Sequence, residues 1–295
     1  MPASPRPGAA ADPFHLLAAD RTSGAYPLAE AALAALARAL PKGRIDRPTV
    51  RRWALQLRRA QPAMGAILRL SEELGRFARS ANSSLSAPRL LRWAKLRRRE
   101  LHREERRVVS RARRALPPQV RIVTLSASSM VARLLASTPR SQRPTSVVVL
   151  RSLPGGEGVR FAAALRAQGL EARVVPDSRG PEEVRRADLL LVGADTVYGD
   201  GSLLHKVGTR ALAAAARRAG CPVVSVTGTS KMIRGRPPRP VPGAGHFDRT
   251  PGSDISAYWT ELGPVAPEEL PLRFSGKARR TRSAPSGPPA GSDGG

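Results

Sequence analysis

Apolar residues in the first 118 positions recur at spacings of three to five, whereas beyond residue 120 they gather into short unbroken runs. The first pattern belongs to amphipathic helices and the second to strands covered on both faces. A helix is predicted over 27–40, with Leu28, Leu33, Leu36 and Leu40 near one face, Pro27 in its first turn and Pro41 as its stop. Thr49 to Arg59 form a second helix, striped by Val50, Trp53 and Leu57 and broken at Gln61-Pro62. A third covers about 64–80 and carries Ile67, Leu68, Leu74 and Phe77. Residues 81–88 read as a polar turn, and a strongly basic helix follows it as far as Pro117-Pro118.

The later runs RIVTLS (121–126), SVVVL (146–150), EARVVP (171–176), DLLLVG (188–193) and PVVSVT (222–227) predict strands. Between them lie helical pieces at 131–137, 157–169, 180–187 and 202–220. Strands spaced by helices of that length imply βαβ units, an α/β fold and a mainly parallel sheet with ligands near the C-terminal strand ends. The expected organisation is a flexible tail over 1–24, a helical domain over 25–118, a sheet domain over 119–270 and a low-complexity basic tail over 271–295. Residues 234–246 form a Pro/Gly/Arg loop.

Charge changes the picture next. Fifty Lys and Arg stand against 23 Asp and Glu, a formal net charge of +27 that favours anionic partners. The excess is concentrated: residues 89–121 hold 13 Lys or Arg and three Glu. That segment is an exposed solvated helix, a nucleic-acid-facing surface with Arg97, Arg98 and Arg99 as its candidate contacts, or a surface for an acidic protein. The lone Cys221 excludes an internal disulfide and a multi-cysteine zinc site. The four histidines lack metal-ligand spacing, so neither a metal nor a cofactor is expected. No apolar run reaches the length of a membrane span and the first residues lack a signal-peptide core, so the expectation is a cytoplasmic protein without membrane association.

Candidate chemistry clusters in VGADTVYGDGSLLHKVGTRALA (192–213), which leaves a predicted strand and enters a predicted helix. Asp195 follows the strand directly, Gly199, Gly201 and Gly208 permit close backbone approach, and Ser202 can cap the helix. Lys206 then falls in the first helical turns, where it can meet an anion. TGTSKM (227–232) adds Thr227, Thr229, Ser230 and Lys231 as an oxyanion-binding loop. TLSASSM (124–130) offers Ser126, Ser128 and Ser129, either as helix caps or as phosphate contacts. Neither a GxxxxGK[ST] loop nor a GxGxxG fingerprint is present.

The stretch 188–231 resembles the signature region of a family that includes the alpha, beta and delta subunits of eukaryotic translation initiation factor 2B. Ribose-1,5-bisphosphate isomerase and methylthioribose-1-phosphate isomerase are also in that family. The resemblance extends over about 120–270. It implies an N-terminal helical domain, a C-terminal Rossmann-like domain with helices on both sheet faces, and dimers formed through the latter. The family's isomerases interconvert an aldose phosphate and a ketose phosphate. They use an acid/base cysteine after the first strand and an aspartate in a GAD motif. By resemblance these positions fall on Ser126 and Asp195. The family's Asn-Lys pair appears as His205-Lys206, and its later lysine as Lys231. In RSLPGGEGVR (151–160), Leu153 and Val159 replace two phosphate-contacting arginines, and Arg151 replaces an acid. A serine hydroxyl transfers protons poorly without an activating base. The resemblance therefore implies a divergent member that binds a phosphorylated sugar or nucleotide as a homodimer, through Ser126, Ser128, Asp195, Gly201, His205, Lys206 and Lys231. The alternatives are an aldose–ketose isomerase using Asp195 with Ser126 or His205, and a nucleic-acid- or ribosome-associated basic protein.

Overall fold

The computed structural model describes residues 12–20, 22–80, 84–243 and 245–270. Its first part is helical: α1 (His15–Ala19), α2 (Ala25–Ala39), α3 (Arg47–Ala60), α4 (Gly65–Arg79) and α5 (Ala87–Ala115). Strands β1 (Arg44–Asp46) and β2 (Ser84–Ser86) pair antiparallel and introduce α3 and α5. Each of those two helices starts on a side-chain cap followed by a proline. The Asp46 carboxylate accepts from the Thr49 N–H at 2.7 Å, and Ser86 Oγ accepts from the Arg89 N–H at 3.4 Å. The core of this region is built on the predicted stripes: Leu28, Val50, Trp53, Leu57, Ile67 and Leu74 are buried in one cluster, joined by Leu90 of α5. Most of the predicted tails, residues 1–11 and 271–295, lies outside the described residues, as do 81–83 of the polar turn. Within the stretch read as an N-terminal tail, however, α1 forms and Phe14 is fully buried against the helical core.

The second part alternates strand and helix: β3 (Arg121–Leu125), α6 (Ser129–Ser137), β4 (Ser146–Leu150), α7 (Glu157–Ala167), β5 (Ala172–Val175), α8 (Gly180–Arg185) and β6 (Leu189–Val192). It continues through β7 (Thr196–Tyr198), β8 (Leu203–Lys206), α9 (Thr209–Arg218), β9 (Val223–Val226), β10 (Met232–Ile233), β11 (Phe247–Thr250), β12 (Ala257–Thr260) and β13 (Gly263–Val265). Seven strands form the main sheet in the order β13-β12-β9-β6-β3-β4-β5, parallel throughout except for β13 at one edge. Alternate residues enter opposite layers. Val123 and Leu125 pack with Val184 of α8 and Leu212 of α9, whereas Ile122 packs with α6, α7 and the second half of α5. The parallel sheet therefore has helices on both faces, and α5 belongs to both regions at once.

One predicted element is corrected. Residues 202–220 are not a single helix: Leu203–Lys206 is strand β8, and only Thr209–Arg218 is helical. β7 and β8 form a hairpin across Gly199-Asp200-Gly201, with Gly201 at φ +79°. Asp200 Oδ1 accepts from the Ser202 N–H at 3.0 Å and from its hydroxyl at 2.6 Å. Ser202 therefore closes the hairpin turn and caps no helix. Gly208, at φ +99°, starts α9, and the cap is Asp248, which accepts from the Gly208 N–H at 2.8 Å. The hairpin belongs to a second, four-stranded sheet in the order β10-β7-β8-β11, which the chain enters directly after the C-terminal end of β6.

Candidate functional site

Asp195 sits between the end of β6 and the start of β7, and its backbone is held on both sides. Its N–H donates to the Leu204 carbonyl at 3.1 Å, and its carbonyl accepts from the Gly65 N–H, the first residue of α4, at 2.9 Å. The carboxyl itself has no hydrogen bond or ion pair among the described residues. Loss of hydration pushes its pKa up to about 6, against the pull of Lys231 and Lys206 and with a push from Glu157. A carboxyl with that pKa exchanges a proton near neutrality.

Lys206 reaches the same place from strand β8, not from a helix start as expected. Its ammonium lies 2.9 Å from Glu157 Oε1 and 3.2 Å from Oε2. Glu157 is the first residue of α7, where the helix N-terminus favours a negative charge. Its Oε1 also accepts from the Ser126 hydroxyl at 3.0 Å. Ser126 occupies the left-handed region at φ +67°, and its N–H donates to Ser152 Oγ at 2.7 Å. Ser152, also left-handed, donates its N–H to Asp177 at 2.7 Å. Strained backbone at two adjacent strand ends gathers Ser126, Glu157 and Lys206 at one edge of the sheet.

Lys231 closes the other side. It is buried, donates to the Ala194 carbonyl at 2.7 Å and stands 4.6 Å above the ring of Tyr26. Burial depresses its pKa, and Asp195 is the strongest influence holding it up. His205 is buried beside these groups, and burial together with the two lysines drives its pKa down to about 3. The Thr209 hydroxyl donates to the Lys206 carbonyl at 2.6 Å, so at 3.1 Å it is placed to accept from His205 Nδ1. Nε2 is then left as an acceptor. That atom lies 3.5 Å from where a Cβ on Gly193 would be, and Ser128 Oγ lies 2.5 Å from the same point. Glycine at 193 keeps this gap open. Ser128 also caps α6 by accepting from the Val131 N–H at 3.3 Å.

Other candidates stand apart. Gly201 is in the hairpin turn, packed against Pro267 and Gly252, with its carbonyl accepting from the Tyr258 hydroxyl at 2.8 Å. The TGTSKM loop does hold oxyanions, but they are this chain's own carboxylates. Thr229 donates its hydroxyl and its N–H to Glu261. Ser230 donates its hydroxyl to Glu104 of α5 at 2.5 Å and its N–H at 3.1 Å. The Tyr26 hydroxyl of α2 donates to the same Glu104 carboxylate. Burial and Glu261 raise the Glu104 pKa, and burial and Glu104 raise that of Tyr26. Glu104 thus clasps two helices to the loop that carries Lys231. Tyr26→Phe removes one donor while leaving the ring under Lys231, and it is expected to cost about 1–2 kcal/mol in urea unfolding.

Glu157, Glu104 and Tyr26 were not among the sequence candidates. Glu157 had a signal, an acid between a Gly-Gly pair and a helix. Glu104 had a weaker one, an acid interrupting a run of arginines. Among the described residues no group of three His, Cys, Asp or Glu is arranged to hold a metal. No described helix is long and apolar enough to cross a membrane.

Residues 21–237 match the model of the initiation factor 2 subunit family. The chain belongs to that family. Among curated relatives, a translation initiation factor eIF-2B subunit 2-like protein of Pyrococcus furiosus is 31% identical over 159 residues, which is 50% of this chain and 58% of the relative. A ribose 1,5-bisphosphate isomerase of Archaeoglobus fulgidus is 27% identical over 169 residues, 50% of this chain and 54% of the isomerase. The chain thus spans little more than half the length of these relatives. A solved translation initiation factor eIF-2B of Pyrococcus horikoshii shares the fold, with a TM-score of 0.75 at 24% identity over 86% of this chain and 96% of that one. A chain of the tetrameric eIF2B-beta2-delta2 complex of C. thermophilum does so with a TM-score of 0.74 at 19% identity, covering 89% of this chain and 92% of that one.

Proposed function

We propose that the protein binds a phosphorylated sugar between the ends of β3 and β6 and the β7–β8 hairpin, as a divergent, isomerase-like member of its family. The observation that carries this reading is the Asp195 carboxyl, removed from water and facing Lys206 and Lys231 without contacting a partner. A buried charge left unpaired is costly, and a ligand hydroxyl supplies the missing donor. Lys206 is the phosphate-binding cation. Because Glu157 already holds it, an incoming phosphate has to displace that carboxylate, which selects for dianionic ligands over neutral sugars. Leu153 and Val159, exposed where the resemblance expects arginines, lower the phosphate affinity further. The curated ribose 1,5-bisphosphate isomerases among its relatives support a pentose phosphate as the ligand class. The proposed setting is a cytoplasmic homodimer.

Retained isomerase chemistry is the second reading, favoured by the 3.0 Å contact between Ser126 Oγ and Glu157. Glu157, distant in sequence, is the base that a serine in the cysteine position requires.

The test is thermal denaturation of the protein with millimolar ribose 5-phosphate, ribose 1,5-bisphosphate, AMP, ribose and inorganic phosphate. A pentose phosphate at about 100 times its dissociation constant stabilises by about 2.7 kcal/mol, a Tm rise on the order of 5 °C. Ribose leaves Tm unchanged, and Lys206→Met abolishes the rise. No shift with any phosphorylated compound refutes the reading. Turnover of the bisphosphate that Glu157→Gln removes establishes the second.

A further inference from the structure

The long helix α5 shows two chemically opposite faces. Its inward face carries Leu90, Ala94, Val108 and Ala112, and each of its three glutamates is partnered. Glu104 meets Tyr26 and Ser230, Glu105 pairs with Arg133 at 2.9 Å, and Glu100 pairs with Arg97. The outward face carries Arg89, Arg92, Arg99, Arg103, Arg106 and Arg114, all exposed. At about 3.6 residues per turn these six fall within about 100° of one another, and at about 1.5 Å per residue they extend over about 37 Å. None of their side chains has a hydrogen bond or ion pair among the described residues. Of the three arginines singled out by sequence, only Arg99 belongs to this ladder. Arg97 turns inward to Glu73 and Glu100, and Arg98 pairs with Glu30 at 2.8 Å.

Six uncompensated cations in a row repel one another, and an exposed surface ordinarily intersperses both signs. A linear polyanion is the partner whose charge repeats along a line as these do. The one large exposed apolar side chain beside the ladder is Leu96, 54% exposed, so the apolar anchors typical of protein interfaces are lacking. Trp93, the helix's one aromatic, packs edge-on against Phe77 at 5.3 Å and is not free to stack on a base. We infer that the outer face of α5 binds the phosphodiester backbone of a nucleic acid, through phosphate contacts alone and without sequence preference.

The inference is independent of the sugar-phosphate reading, since the ladder and Asp195 share no residue. Fluorescence anisotropy on the full chain tests it. The probes are a labelled 20-nucleotide RNA of mixed sequence, a 20-base-pair DNA duplex and a poly-glutamate peptide, each titrated from 50 to 300 mM salt. The wild type is expected to bind both nucleic acids with a steep salt slope. Arg92→Gln/Arg99→Gln/Arg103→Gln/Arg106→Gln makes the slope for single-stranded RNA shallower by roughly three and weakens binding on the order of 10²-fold at 0.1 M salt. A charge-matched control, Arg51→Gln/Arg58→Gln/Arg59→Gln/Arg218→Gln, changes exposed arginines off this face. Equal losses in the two variants, or retained affinity in the first, overturn the inference in favour of diffuse attraction by net charge or by the chain termini. Poly-glutamate binding as tight as RNA overturns it in favour of an acidic protein. Circular dichroism and unchanged Tm in both variants exclude misfolding as the cause.

Discussion

Gly158→Ala is expected to destabilise the protein by about 2 kcal/mol and to abolish the proposed sugar-phosphate binding together. Gly158 is in the first turn of α7, and its own N–H bonds the Arg151 carbonyl at 3.2 Å. A Cβ there would lie 1.9 Å from the Leu150 carbonyl oxygen and 3.0 Å from that of Arg151. Both obstacles are backbone at the end of the buried strand β4, so neither can swing aside. Alanine inside a helix gains about 1 kcal/mol over glycine. Overpacking a core costs about 1–3 kcal/mol, and a contact this close belongs at the top of that range or above it. Overlap wins. The helix start must retreat from the strand, and Glu157, one residue earlier, retreats with it from Lys206 and Ser126. Urea unfolding measures the first effect, and the ribose 5-phosphate Tm shift measures the second. A Gly158→Ala protein with wild-type stability would show that α7 is not seated on β4 as described.

Asp195→Asn is expected to make the protein more stable above pH 6 while removing ligand binding. The carboxyl pKa is raised from the usual 3.8 to about 6, so the folded state holds this proton more tightly than the unfolded chain. Between pH 4 and 6 the unfolded chain loses its proton while the folded protein keeps its own, so stability falls as pH rises through that window. Above pH 6 the whole penalty is present. Two pKa units correspond to about 3 kcal/mol, already net of the attraction of Lys231 and Lys206, and the unmade hydrogen bonds of a buried asparagine amide offset part of it. A gain of about 1–2 kcal/mol at pH 7.5 remains, and it vanishes at pH 3.5. Urea midpoints for the two proteins across pH 3.5–8 check it. Curves that stay parallel would mean that Asp195 is fully hydrated. A site residue whose removal stabilises the fold is one retained for binding or chemistry.

The fold was legible where pattern and burial agree. SVVVL and DLLLVG became central parallel strands because both their faces are covered. The stripes of α2, α3 and α4 became the helical core for the same reason. The misread stretch was SLLHKVGTRALA, whose leucines fit a helical face as well as they fit a strand. Its correct reading was available in Gly199-Asp200-Gly201, a hairpin signal, and in Gly208, whose left-handed backbone separates strand from helix. For the site, local sequence located Asp195, Lys206 and Lys231, because strand ends and glycines mark a sheet edge. It could not place Glu157 against Ser126, since that contact arises from how β3 and β4 lie side by side. Nor could it reveal that Thr229 and Ser230 are already occupied, because Glu104 and Glu261 are remote from them in the chain.

The Gly65–Asp195 and Tyr26–Lys231 contacts have a consequence for how the molecule comes apart. Two of the charged groups at the sheet edge are held in position by atoms that belong to α4 and α2. Neither half therefore owns this group of charges, and the α/β half expressed by itself would present the lysine and the aspartate to bulk water with ordinary acidities. If the proposed sugar phosphate binds there, its occupancy and docking of the bundle are a single event, and a calorimetric scan is expected to show one endotherm that moves as a whole when it is added.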